Sequence, residues 1–288
     1  MDIKGFHLAD DKRIPLNFHA STLDELTGRV SDGFYTTFST LSGGTRVMGL
    51  QAHLNRLYHP AADLRLHPSV EEESLRRHIS ELTKTFLPQE SRVRLILTQD
   101  TGDIYIGIQA LVPIAESVYR DGVYVVTAEM ARHDPRIKGT DFITASAEQR
   151  KLVKDDIYEI LLTKNGRILE GMTSNFYAIQ HVIVSRQAQQ SYGSITLITA
   201  QKGILLGVTR RAVLKLARGQ GMSIEYRSPR VDESFDEAFL TSSSRGVVPI
   251  VKINGQAVGQ GRGVGQGTKK LQLAYQAYVE ERSEEIIP

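Results

Sequence analysis

Hydroxyl side chains, amides at helix starts and a few arginines are the groups in this sequence whose spacing could do chemistry, and the chemistry they suit is anion binding. Gly207-Val208-Thr209-Arg210 lies between an apolar segment, Ile204 to Leu206, and a helical pattern. The opening N–H groups of a helix lack intrahelical partners and the helix dipole favours negative charge there, so a glycine followed by threonine suits a phosphate or carboxylate. Thr241-Ser242-Ser243-Ser244 follows a strand pattern and precedes Arg245-Gly246, setting several hydroxyls where phosphate oxygens could be held. Arg56 adds a guanidinium able to take two oxygens of one anion. Taken singly, each has a plain explanation: a threonine-capped helix, a polar turn, a surface arginine.

The glycine-rich stretch Gly255 to Gly267 invites a nucleotide reading and fails it. A P-loop needs Lys and then Ser/Thr after its last glycine, whereas Gly267 is followed by Thr268 and then Lys269; no Gly-x-Gly-x-x-Gly is completed either. A loop closing on a helix that opens near Thr268 is the ordinary reading, and a backbone contact to a substrate carboxylate is the alternative. The 8 histidines are dispersed without a His-Glu-x-x-His, so no metal site is expected. With no cysteine, thiol nucleophiles, disulfide frameworks, zinc ribbons and iron-sulfur clusters are excluded, and difficult chemistry must come from other side chains or a bound cofactor.

The chain behind these groups has 288 residues, 41% hydrophobic and 24% charged, enough for one large or two medium domains with proper cores. The 35 basic and 33 acidic residues leave a formal charge of +2, which gives no reason to expect nucleic acid or an anionic membrane as partner. No apolar run approaches the ~20 residues of a membrane span, and Met1-Asp2-Ile3-Lys4 lacks a signal peptide's apolar core. A cytoplasmic protein is expected.

Asp32 to Leu41 reads as a strand, turning through Ser42-Gly43-Gly44 into a second apolar stretch, Val47 to Leu50. Leu54, Leu57, Ala61 and Leu64 recur at helical steps from Gln51, and a second helix fits Val70 to Phe86. Val93 to Leu97 and Ile104 to Val112 are strands. The periodicity breaks between Pro113 and Gly122, so an N-terminal domain 1–115, a linker 116–122 and a C-terminal domain 123–288 are expected. The later domain holds a strand at Val123 to Ala128, an irregular basic stretch from Arg132 to Lys138, and a helix from about Phe142 to Lys151. Ile157 to Leu162 and Arg167 to Leu169 flank Asn165-Gly166, a strong hairpin signal. Phe176 to Val184, Ile195 to Ile198, Glu237 to Leu240 and Val247 to Ile253 are further strands, with helices opening near Thr209 and Thr268. The fold class is α+β in two domains, the second richer in strand.

Six blocks become specific together. Asp32-Gly33-Phe34-Tyr35, His53-Leu54-Asn55-Arg56-Leu57, Arg136-Ile137-Lys138, the run Gly166 to Phe176 containing Leu169-Glu170-Gly171-Met172-Thr173-Ser174-Asn175, the run Gly203 to Arg210, and Glu237 to Ser244 occur in the order and spacing of the class IV aminotransferases. From about Asp32 to Tyr278 the chain resembles these fold type IV pyridoxal-phosphate enzymes, which include branched-chain and D-amino-acid aminotransferases, (R)-selective amine transaminases and aminodeoxychorismate lyases. The resemblance implies a smaller N-terminal α/β domain, a larger strand-rich C-terminal domain and pyridoxal 5'-phosphate in the cleft, in a homodimer. It implies Lys138 as the Schiff-base lysine and proton shuttle, with a lowered pKa, and Glu170 as the carboxylate beside the pyridine nitrogen. Arg56, Val208 with Thr209, and Ser243 or a neighbouring hydroxyl of Thr241 to Ser244 would hold the phosphate, Asn175 would orient its strand or its neighbours, and Tyr35, Ser244 and Arg245 would lie on the substrate side.

The sequence departs from the family where substrate is chosen. The paired arginine and histidine of bacillus-type D-amino-acid aminotransferases are absent, the chain having Thr98-Gln99-Asp100-Thr101-Gly102 there, and Thr36 stands where an acidic residue often follows the aromatic one. Arg245 is a candidate substitute carboxylate clamp. The implied function is a transaminase acting between an amino acid or amine and a 2-oxo acid. The alternatives are a pyridoxal-phosphate lyase of the aminodeoxychorismate type and a cofactor- or phosphate-binding protein without turnover.

Overall fold

A computed structural model describes residues 3–9, 11–182 and 194–286. They form two compact units. The first comprises the chain to Pro113, Ile137–Ala147 and the residues from Val279; the second comprises Ile114–Arg136 and Glu148–Tyr278.

The first unit is built on strands β1 (Lys4–Ala9), β2 (Lys12–Pro15), β3 (Gly33–Leu41), β4 (Arg46–Val47), β5 (Ser91–Thr98) and β6 (Ile104–Ala110), joined in one seven-stranded sheet with the short strand Glu284–Glu285. The order runs from Glu284–Glu285 through β4, β3, β5, β6 and β1 to β2. Alternation sorts side chains between two faces. Phe34, Phe38, Val93, Leu95 and Leu97 pack with Leu54, Leu57, Leu75 and Ile79 of the helices Leu50–Asp63 and Glu72–Lys84. Tyr35 and Ile96 meet Leu23 and Leu26 of the helix Leu23–Thr27 and Ile143. Each such buried aliphatic or aromatic side chain contributes about 1.5–3 kcal/mol.

Three expectations shift here. The strand expected at Val47 to Leu50 shrinks to β4, because Gly49 turns left-handed (φ 67°) and starts the helix at Leu50, whose N–H goes to Glu284 Oε1 at 2.8 Å. The second helix opens at Glu72 rather than Val70, Glu71 still being extended. β1 and β2, both largely half-exposed, with β2 at the sheet edge and β1 next to it, carry little alternation and so no strand signal in the sequence.

Residues 137–147 join this unit by strand-like pairing with the start of β3. Tyr35 N–H donates to Lys138 O at 2.9 Å, Thr140 N–H to Gly33 O at 2.9 Å, and Gly33 N–H to Thr140 Oγ1 at 2.8 Å. The helix expected over Phe142 to Lys151 is two short ones, Asp141–Ala145 and Ala147–Arg150, parted at Ser146, whose hydroxyl donates back to Phe142 O at 2.6 Å.

The second unit contains β7 (Val123–Glu129), β8 (Ile157–Lys164), β9 (Arg167–Gly171), β10 (Asn175–Val182), β11 (Ser194–Thr199), β12 (Ser223–Tyr226), β13 (Glu237–Ser242), β14 (Gly246–Ile253) and β15 (Gln256–Ala257). They form a nine-stranded sheet in the order β12-β11-β10-β13-β14-β7-β8-β9, with β15 against β14. Asn165 and Gly166 both take positive φ (51° and 68°), the geometry a two-residue hairpin needs. Residues 116–120 of the expected linker form a helix, Glu116–Arg120. The extension of β10 to Val184 lies outside the described residues. The helices expected near Thr209 and Thr268 run Val208–Gly219 and Gln266–Arg282. No helix among the described residues is long and apolar enough to cross a membrane.

The glycine-rich stretch serves this unit's own packing. Glu237, buried on β13, accepts the Gly267 N–H at 2.9 Å and the Thr268 N–H at 2.6 Å. A Cβ at Gly265 would stand 2.1 Å from Glu237 Cδ, so glycine is needed for the approach. The anion at this helix start is therefore the chain's own carboxylate, and not a substrate's.

Candidate functional site

In the first unit, Lys138 follows the irregular stretch before residues 137–147 and sends its amine to 4.8 Å from the centroid of the Tyr35 ring. The Tyr35–Lys138 backbone hydrogen bond sets both at the start of β3. Tyr35 is buried, and Arg94 lies 4.9 Å from its ring centroid, anchored on Asp24 at 2.6 Å and on Thr37 at 3.0 Å. On the helix Leu50–Asp63, His53 and Arg56 are three residues apart and so share a face. His53 Nδ1 is 2.7 Å from Thr36 Oγ1. Burial, reinforced by the positive charges of Arg56 and Lys138, pushes the His53 pKa well below the usual histidine range. The neutral Thr36 hydroxyl suits a neutral ring. Tyr35, Lys138, His53 and Arg56 are thus grouped around one end of the sheet.

In the second unit, the hairpin β8–β9 brings Glu170 opposite Leu162 and buries it. Glu170 Oε1 pairs with Arg132 Nε at 2.8 Å, and both side chains are 5% exposed or less. Oε2 accepts the Leu205 N–H at 3.1 Å and lies 3.4 Å from Asn175 Nδ2. Arg132 also donates to Met172 O at 3.0 Å, which ties the Arg132 stretch to the loop beyond Glu170.

Asn175 joins the pieces. Its Nδ2 donates to Leu205 O at 2.7 Å and its Oδ1 accepts the Gly207 N–H at 3.1 Å, while β-pairing sets it opposite Thr241. The helix start with Val208 and Thr209, and the turn after β13 with Ser243 and Ser244, consequently converge on the same residue. Thr209 is buried, with its hydroxyl 3.4 Å from Tyr275 Oη; the Tyr275 ring lies against Gly246 at the end of that turn. Arg210 points inward instead of into solvent, donating to Thr199 Oγ1 at 2.6 Å and Ala200 O at 2.7 Å.

Arg245 is committed to internal partners. Nη1 meets Glu159 Oε2 at 2.6 Å, Nε donates to Ser242 Oγ at 3.0 Å and Nη2 to Thr173 Oγ1 at 2.6 Å. Burial acts to lower its pKa, but the Glu159 charge and Tyr158 outweigh that and hold it above the ordinary arginine value. Arg132 and Glu159 escaped the sequence reading. Each is a lone charge within an irregular stretch or a strand, and its meaning appears only with the partner 38 or 86 positions away.

A family model described as amino-transferase class IV matches residues 33–253. A D-alanine aminotransferase of Bacillus licheniformis is 28% identical over 264 residues, 85% of this chain and 87% of that protein. A protein of Thermotoga maritima described as a probable branched-chain-amino-acid aminotransferase is 32% identical over 175 residues, 58% of each chain. The PLP-bound form of a hypothetical aminotransferase from Mycobacterium tuberculosis superposes with a TM-score of 0.72, over 97% of this chain and 100% of that one, at 20% identity. The α+β, fold type IV architecture and the aminotransferase class expected from the sequence both hold: the chain belongs to the class IV aminotransferase family.

Proposed function

We propose that this family member is a pyridoxal-phosphate-dependent transaminase, moving an amino group between an amino acid or amine and a 2-oxo acid. The observation that carries the proposal is Glu170: a buried carboxylate, charge-matched by Arg132 and fixed by the Leu205 N–H, is a group built to face a cationic ring nitrogen. The remaining donors suit the rest of the cofactor. A lysine amine lies against an aromatic ring, a helix start carries Val208 and Thr209, and a hydroxyl turn carries Ser243. The resident carboxylate at the other helix start, Glu237, leaves Gly207 to Thr209 as the natural phosphate cradle, where a Cβ on Gly207 would meet Asn175 Oδ1 at 2.3 Å.

Bound pyridoxal phosphate supplies an aldehyde for the substrate amine and a ring that withdraws electrons from the substrate α-carbon. Lys138 is the residue that would hold the cofactor, through its amine. The Lys138 amine, once released, would be the base that takes the proton from the substrate α-carbon and holds it for return. Glu170, paired with Arg132, would sit beside the pyridine nitrogen as its hydrogen-bond and charge partner. By the family resemblance, the Val208 and Thr209 amides, Arg56 and the Ser243 hydroxyl would bind the phosphate oxygens. Tyr35 lines the substrate side, with Ser244 next to the phosphate turn. A homodimer working in the cytoplasm completes the reading, on the strength of the family resemblance and the cysteine-free composition.

Borohydride reduction followed by peptide mass analysis is expected to find a pyridoxyl group on Lys138, and Lys138→Ala to lose both that label and turnover. A purified chain that takes up no cofactor would overturn the proposal. A panel of amino donors with 2-oxoglutarate and pyruvate then separates the reactions, since consumption of an amino donor without any 2-oxo acid would identify a lyase.

A further inference from the structure

Arg245 has no task in the reaction just described, yet it is among the most thoroughly anchored side chains of the second unit. It lies in the turn joining β13 to β14, directly after Ser243 and Ser244, and its backbone carbonyl accepts the Tyr119 hydroxyl at 3.0 Å. Its three guanidinium nitrogens are engaged by Glu159, Ser242 and Thr173, and its Cζ lies 5.5 Å from the Tyr158 ring centroid. Glu159, 4% exposed, accepts in addition the Thr173 N–H at 2.7 Å, the Thr173 hydroxyl at 3.0 Å and the Ser174 hydroxyl at 3.0 Å. The pair therefore fastens the hydroxyl turn to the loop Met172–Ser174, which runs from the Glu170 strand to Asn175.

A guanidinium that recognises a ligand carboxylate presents an uncompensated charge and a free fork of N–H groups. Arg245 does neither, because Glu159 matches its charge and each nitrogen already faces an internal oxygen. We propose that Arg245 is a positioning residue for the cofactor: with Glu159 it holds Ser243 and Ser244 in fixed register with Glu170 and Asn175, and it takes no part in binding the substrate carboxylate. The inference rests on the pyridoxal-phosphate reading, and it replaces the role of substrate clamp that the sequence suggested for this arginine.

The test is cofactor affinity, followed by absorbance on titrating apo-protein with pyridoxal phosphate. Arg245→Met is expected to weaken the affinity about tenfold or more, the loss that follows from removing a supporting charged hydrogen bond. At saturating cofactor the KM for amino donors should stay as in the parent, and Arg245→Lys should restore part of the affinity. Arg227→Met, which breaks the separate Arg227–Glu233 pair of the same unit, serves as a control for general loosening and should leave cofactor affinity unchanged. Because Arg245→Met strands Glu159 as a buried charge, the neutral double variant Arg245→Met with Glu159→Gln decides the matter if the single one does not fold. Parental cofactor affinity in the folded variant overturns the inference, as does a raised donor KM with cofactor affinity intact. A parent protein that binds no cofactor defeats the functional reading instead.

Discussion

Asn175 stands opposite Thr241 in the pairing of β10 with β13 while its side-chain oxygen takes the Gly207 N–H at 3.1 Å, so one amide aligns a strand end with a helix start. That arrangement ties together two polar stretches more than thirty residues apart, the ones proposed above to hold the cofactor phosphate. It depends on a glycine at 207, because only a residue without Cβ admits the approach.

Gly207→Ala is expected to destabilise the protein by about 1–3 kcal/mol, as overpacking does, and to weaken cofactor uptake at the same time. Thermal melts with and without pyridoxal phosphate check this. The parent should gain more from the cofactor than the variant does, and equal gains would show that the helix start is not the cradle.

Glu170→Gln removes the charge while keeping the shape. The variant is expected to retain cofactor but to lose about a hundredfold or more in the rate of α-proton removal, within the span of a proton-transfer contribution. Single-turnover measurements with an α-deuterated donor report the step directly; an unchanged rate would contradict the assignment.

Arg132→Met leaves Glu170 buried without its counter-charge and is expected to cost about 3–5 kcal/mol of stability. Adding Glu170→Gln should return much of that loss, because the uncompensated carboxylate is then gone. Urea denaturation of the two single variants and the double variant measures the coupling.

Glu237 makes a prediction about acid. Burial raises its pKa, but the Thr268 and Gly267 N–H groups, with His181, outweigh that and hold it below its ordinary 4.5. The unfolded chain therefore binds the proton more readily than the native one, so the contribution is complete above about 4.5 and is lost as the pH falls through the lower native value. Glu237→Gln should lower the urea midpoint at neutral pH and flatten its decline in acid, compared with the parent.

How far the sequence could be read depended on the kind of signal. Long strands rich in aromatic, β-branched and aliphatic residues, such as Gly33–Leu41 and Ser91–Thr98, and the amphipathic helix at Leu54, Leu57 and Ala61 were legible because local pattern and tertiary burial agree. Short blocks around Lys138, Glu170 and Gly207 were legible through the resemblance they carry together. Arg132, Glu159 and the anchoring of Arg245 were not, because a buried charge declares itself only through a partner that the chain brings from far away. The placement of residues 137–147 was hidden for the same reason: backbone pairing with Gly33 and Tyr35 has no side-chain signature. Glu237 reads in sequence as an ordinary strand residue, and only its two N–H partners explain why Gly265 must be glycine.

The return of the chain to the first unit has a consequence for biosynthesis. Glu284 pairs with Val47 and takes the Leu50 N–H, Ile286 is buried in the same core and donates its N–H to Thr45 O at 3.0 Å, and Arg46 grips Ser283. On the ribosome, residues 114–278 emerge before these contacts can form. The first unit must therefore wait with its β4 edge uncovered until the second has left the exit tunnel. A nascent chain stalled near residue 278 would hold every residue assigned here to the cofactor and still lack the strand that closes its first sheet.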